Sequence, residues 1–161
     1  MEENNSSSSK TLRKASRDGR FDLVVKALKS EACMIESKDA RGWTALHLAC
    51  AQNHMEICKL LVLEQQANVN SLTHELSTPL IVAAYNGRIE IVKFLLENHA
   101  NPNLVDHVGD TALIIARQRK KQTIVTLLES VEEKKGKGVL LLLAPDNDES
   151  NKRTKSELDT N

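Results

Sequence analysis

Apolar positions recur along this chain in two alternating blocks. The first reads Thr44-Ala45-Leu46-His47-Leu48-Ala49-Cys50, returns as Thr78-Pro79-Leu80-Ile81-Val82-Ala83-Ala84, and returns again as Thr111-Ala112-Leu113-Ile114-Ile115-Ala116-Arg117. The interval from Thr44 to Thr78 is one position longer than that from Thr78 to Thr111. A second block follows at fixed offset: Met55-Glu56-Ile57-Cys58-Lys59-Leu60-Leu61, then Ile89-Glu90-Ile91-Val92-Lys93-Phe94-Leu95, then the looser Gln122-Thr123-Ile124-Val125-Thr126-Leu127-Leu128. Self-similarity at a period of about 33 residues predicts a stacked array in which each unit is one helix pair. A lone pair cannot bury its apolar face, so stability must come from its neighbours. Leu46, Leu80 and Leu113 are the expected fillers between units, and Ala49, Ala83 and Ala116 the small residues that let helices approach.

Local chemistry supports the same elements. Thr44, Thr78 and Thr111 can cap the first helix of each unit, the hydroxyl accepting from an orphan backbone N–H. Pro79 falls at a first helical position, where its missing N–H costs nothing. Gly42 and Gly109 suit a turn that needs positive φ, and Asn53 and Gly87 suit the turn between the two helices.

These residues resemble the ankyrin repeat, whose pattern is D-x-x-G-x-T-P-L-H-x-A-A, then a helix, then G-A-D-V-N. Asp39-Ala40-Arg41-Gly42-Trp43-Thr44-Ala45-Leu46-His47 follows its opening; Ala67-Asn68-Val69-Asn70 and Ala100-Asn101-Pro102-Asn103 follow its close. The resemblance covers about Leu12 to Ser130. It implies an all-α solenoid of about four stacked helix pairs joined by hairpin-like loops near Asn70 to Ser77 and Asn103 to Asp110. Some positions depart from the pattern. Leu76 stands at the turn glycine, so that hairpin is expected to differ or to be strained. Gln66 and His99 replace the glycine after the second helix. The stretch Leu60 to Gln66 holds one residue more than its counterpart, which accounts for the longer interval. Arg117 takes a small buried site and Lys120 a glycine site, as expected where a stack ends and meets solvent.

The chain divides accordingly. Residues 1–9 read as a disordered tail of Asn, Ser and Glu. Residues 10–130 form the repeat domain: a partial capping repeat over 10–38, then full repeats over 39–72, 73–105 and 106–130. In the capping repeat, Arg13, Lys14, Arg17 and Arg20 are expected to make a polar outer surface. A linker over 131–138 leads to the apolar residues 139–145, expected to cap the stack, with a short docking motif as the alternative. The polar residues 146–161 read as disordered.

Composition narrows the function. Lys plus Arg and Asp plus Glu are 22 each, so the net charge is zero and no global field favours nucleic acid. The only aromatics are Phe21, Trp43, Tyr85 and Phe94, too few for an ordinary core of this length. No stretch reads as a secretory signal or a bilayer span. Cys33, Cys50 and Cys58 make no even disulfide framework, pointing to a reducing cytoplasmic or nuclear location rather than secretion. Cys50 and Cys58 could face each other within one helix pair, and read as small buried hydrophobes. His47 belongs to the T-P-L-H position, where the resemblance implies a structural bond to backbone rather than catalysis. No zinc spacing, phosphate loop or dinucleotide loop is present. No enzyme activity, cofactor or metal is expected.

The expected function is protein binding as an adaptor, scaffold or inhibitor, by a chain that is a monomer when free. The alternative is a recognition or regulatory subunit of a larger assembly, with weak nucleic-acid contact through its basic C-terminal end. The resemblance implies that hairpin tips and first helices form a concave contact surface. Its positions here are Ala40, Arg41, Trp43, Ala51 and Gln52; His74, Glu75, Ser77, Tyr85 and Asn86; and His107, Val108, Asp110, Gln118 and Arg119. Trp, Tyr and Arg most often anchor interfaces, so Arg41, Trp43 and Tyr85 are the expected centre; the alternative for Trp43 is a ring that only covers the hairpin beside Arg41.

Overall fold

A computed structural model describes residues 7–131. The elements come in pairs: α1 (Ser7–Asp18) and α2 (Phe21–Leu28), α3 (Ala45–Gln52) and α4 (Met55–Lys59), α5 (Pro79–Tyr85) and α6 (Ile89–Glu97), and α7 (Ala112–Gln118) with α8 (residues 122–131). First helices pack in the order α1, α3, α5, α7, while α2, α4 and α6 form a second layer. All are helices; the one β-type pairing among the described residues is an isolated bridge between Val105 and Thr111.

The core repeats with the sequence. Leu12, Leu46, Leu80 and Leu113 are all buried, as are Ala15, Ala49, Ala83 and Ala116. Leucine fills the space between successive first helices and alanine brings their backbones together. Ile57, Ile91 and Ile124 close the second layer.

The caps are formed as the sequence predicts. Thr78 Oγ1 accepts from Ile81 N at 3.1 Å, with Pro79 at the head of α5, and Thr111 Oγ1 accepts from Ile114 N at 3.3 Å. Thr44 caps α3 in the same way at 3.5 Å, with His47 bonding back to it. Left-handed residues mark every turn in register: Gly19, Asn53, Gly87 and Lys120 between helices, and Gly42, Leu76 and Gly109 at the hairpin tips. Leu76 does not reshape its hairpin. Thr73 N donates to Ser77 O at 3.1 Å, matching Asp39 N to Trp43 O and Asp106 N to Asp110 O, both 3.0 Å. The departure is therefore absorbed as a φ of 56° on a non-glycine residue.

Two expectations need correction. The N-terminal boundary lies earlier: α1 begins at Ser7, and Ser9 is buried with its Oγ accepting from Met34 N at 2.9 Å. Arg13 does not belong to a polar outer surface. It is buried, and its Nη1 donates to Ser37 Oγ at 2.5 Å. The reason is register: Arg13 stands one repeat before His47, at the position that faces the next repeat.

The extra residue of the second repeat also has a structural form. After α4 the chain continues through a π turn over Leu60–Glu64, where Gln65 N donates to Leu60 O at 3.2 Å. A single π turn is the usual way a helix accommodates one additional residue. The regular geometry then resumes, with Ala67 N bonding Leu61 O as Ala100 N bonds Leu95 O, both 2.9 Å. Of the expected linker over 131–138, Val131 still belongs to α8, and residues 132–138 lie outside the described residues, as do the apolar residues 139–145, the tail 146–161 and residues 1–6.

Candidate partner-binding face

The hairpins are joined edge to edge. His74 N donates to Arg41 O and His107 N to Glu75 O, both at 3.0 Å. This ladder fixes the spacing of the hairpin tips, and with it the candidate residues they carry. Two of the tips are built by their leading aspartate. Asp39 Oδ1 accepts from Arg41 N and Trp43 N at 2.9 Å, and Asp106 Oδ1 from Val108 N at 2.9 Å and Asp110 N at 3.0 Å.

His47 couples two repeats. Its Nε2 lies 3.1 Å from Ser77 O, and its Nδ1 lies 3.3 Å from Thr44 N and 2.8 Å from Thr44 Oγ1. A carbonyl can only accept, so Nε2 carries the proton and Nδ1 accepts from the Thr44 amide. Burial holds the imidazole neutral and lowers its pKa to about 4. A ring so buried and so bonded has a structural role.

The aromatic candidates each have a cationic neighbour. The Arg41 guanidinium carbon lies 4.9 Å from the centre of the half-buried Trp43 ring, which also tilts against His47 at 6.0 Å. Arg119 Cζ lies 3.7 Å from the centre of the Tyr85 ring, and Tyr85 is 47% exposed. Such stacking is favourable because the ring face is electron-rich. Gln118 Nε2 donates to Asp110 Oδ2 at 2.8 Å. Thus Arg41 meets Trp43, Tyr85 meets Arg119, and Asp110 meets Gln118. Ala40, Gln52, His74, Glu75, His107 and Val108 are exposed, and Ser77 and Asn86 are half-buried. Ala51 is buried and is unavailable to a partner. Leu76 is not among the expected contact positions, yet it is exposed at a hairpin tip; a bulky apolar residue in a glycine position is the signal that could have found it.

Other groups have structural places. Cys50 Sγ and Cys58 Sγ lie 3.7 Å apart, both buried, and burial followed by the Cys58 thiol pushes the Cys50 thiol well above its ordinary range. Glu56 pairs with Lys59 at 3.2 Å and Glu90 with Lys93 at 3.0 Å on exposed helix faces. Arg117 pairs with Glu129 at 2.7 Å, also exposed. No group of three or more metal-ligating side chains occurs among the described residues, and no described helix is long and apolar enough to cross a membrane.

Comparison with known proteins agrees with this architecture. The family described as Ankyrin repeats (3 copies) matches residues 12–106 and 67–137. BCL-6 corepressor-like protein 1 of Homo sapiens is 34% identical over 100 residues, which is 62% of this chain and 6% of that protein. Putative ankyrin repeat protein YahD of Escherichia coli (strain K12) is 39% identical over 92 residues, 54% of this chain and 46% of the relative. Putative E3 ubiquitin-protein ligase XBAT34 of Arabidopsis thaliana is 34% identical over 131 residues, 75% of this chain and 35% of the relative. The chain therefore spans less than half the length of each of these relatives.

Proposed function

Because this chain belongs to the ankyrin-repeat family, whose repeats generally mediate protein–protein interaction, we propose that it is a non-enzymatic adaptor, scaffold or inhibitor. It binds a partner protein through the concave surface of hairpin tips and first helices. The centre of the contact is Arg41, Trp43 and Tyr85, with Arg119 beside Tyr85. The observation that carries this reading is the Tyr85–Arg119 stack, in which an exposed ring is held against a cation from the following repeat. Core packing does not require it. An aromatic ring already fixed in place loses little freedom on binding, which favours it as an anchor.

The test is Trp43→Ala with Tyr85→Ala, scored for affinity toward the partner captured from source cells and, separately, for thermal stability. Affinity should fall by more than about 2 kcal/mol while the fold survives. Normal binding by a folded double variant would sink this assignment.

A second reading is supported by the small share of each relative that the chain spans: it acts as the recognition part of a larger assembly. Nucleic-acid contact through the basic end has weaker support, since Arg117 and Arg119 are already engaged by Glu129 and Tyr85. Binding that falls steeply with salt would favour it.

A further inference from the structure

The described stack ends on an uncovered face. His47, Ile81 and Ile114 occupy one register, the one that meets the following repeat. His47 and Ile81 are buried, Ile81 at 3% exposure, because a repeat follows each; Ile114 is 37% exposed. Beside it Val105 is 44% and Val108 70% exposed. The hairpin ladder stops here too. Arg41 O and Glu75 O each accept from the next hairpin, whereas no described residue donates to Val108 O. An open backbone edge beside exposed aliphatics is a place where further chain adds.

The sequence beyond carries an occupant in register. Asp106, which opens the last hairpin, falls one repeat period before Val139. Continuation of the same period would therefore bring Val139 to the opening of the next hairpin. Leu140 then falls one repeat period after His107, the ladder donor, and Pro145 falls one period after Ala112, the first residue of α7. Val139-Leu140-Leu141-Leu142-Leu143 is apolar, and left in water it would be an aggregation hazard.

We propose that residues 139–143 of this chain add a final hairpin edge to the stack. The Leu140 amide donates to the Val108 carbonyl, and the leucines cover Ile114, Val105 and Val108. The segment lacks the Thr-capped helix opening, with Ala144 where Thr111 would recur, so it closes the array instead of extending it.

The test uses the full chain. Hydrogen exchange should show the amides of 139–143 slowed at least tenfold relative to the same chain carrying Leu141→Asp with Leu142→Asp. Amides of 105–118 should exchange faster in that variant. Ile114→Asp should reproduce the effect on 139–143, and combining all three changes should add little, as expected for two sides of one contact. Should Ile114→Asp not fold, the leucine variant and the exchange data decide alone. Wild-type amides at 139–143 exchanging at the unprotected rate would overturn the proposal. So would sedimentation showing a wild-type dimer that the leucine variant dissociates, because a second copy would then be the occupant.

Discussion

His47 Nε2 donates to the carbonyl oxygen of Ser77 across the boundary between two repeats, at 3.1 Å. The bond ties the head of α3 to the residue before the next capping threonine. It also makes stability pH-dependent. Burial lowers the folded pKa from 6.5 to about 4, so the unfolded chain binds this proton first as pH falls. Stability is full above pH 6.5, declines between 6.5 and about 4, and then stays reduced; the loss is about 3 kcal/mol. His47→Ile, matching the residue in the next repeat, removes this component. Urea unfolding of both proteins between pH 7.5 and 4.5 should show a steeper decline for the wild type. Equal declines would show that His47 ionises as freely in the fold as outside it.

Leu80 lies at the centre of the stack, and its truncation to alanine leaves a cavity with neighbours on both sides. Leu80→Ala should cost roughly 2–5 kcal/mol. Ile114→Ala, at the end of the described stack, should cost less. Denaturant midpoints of the two variants test the order, and a loss below about 0.5 kcal/mol at Leu80 would contradict its core role.

The left-handed turn positions predict opposite effects for opposite exchanges. Lys120 adopts a φ of 56° and is exposed, so Lys120→Gly relieves strain and should stabilise by about 0.5–1 kcal/mol after the entropy cost of glycine. At Gly42 the φ is 80°, and an added Cβ would lie 2.5 Å from His74 N and 2.7 Å from its ring. Gly42→Ala should therefore lose about 2 kcal/mol or more and disturb the bond from His74 N to Arg41 O. Thermal unfolding of the pair gives both signs in one experiment.

Aligning the second helices places Leu63 as the additional residue: Val62 matches Leu96 and Glu64 matches Glu97. Leu63 is 58% exposed, within the π turn, while Val62 packs on the core. Deleting Leu63 should restore a regular helix and change stability by less than about 1 kcal/mol, close to the range for changes away from packed features. Deleting Ile57, which is buried, should unfold the repeat. Circular dichroism melts compare the two; collapse on deleting Leu63 would mean the π turn carries packing of its own.

Much of this protein was legible in its sequence because the period repeats. Thr44, Thr78 and Thr111 announced three helix starts, the leucines and alanines announced the core layers, and the additional residue between Leu60 and Gln66 was countable. These are local signals: a cap, a turn or a helical face is set by residues within one or two turns of it. Contacts between repeats were decided by the tertiary structure. Arg13 resembles a surface charge in sequence and is buried because it shares the register of His47. Leu76 keeps its hairpin because the ladder to His107 holds the neighbouring Glu75 carbonyl. Tyr85 and Arg119 meet only because α5 and α7 stack. Ile81 and Ile114 are the same residue at the same register, yet their exposures differ. The residue type sets how much apolar surface there is to bury; whether it is buried depends on what lies beyond it.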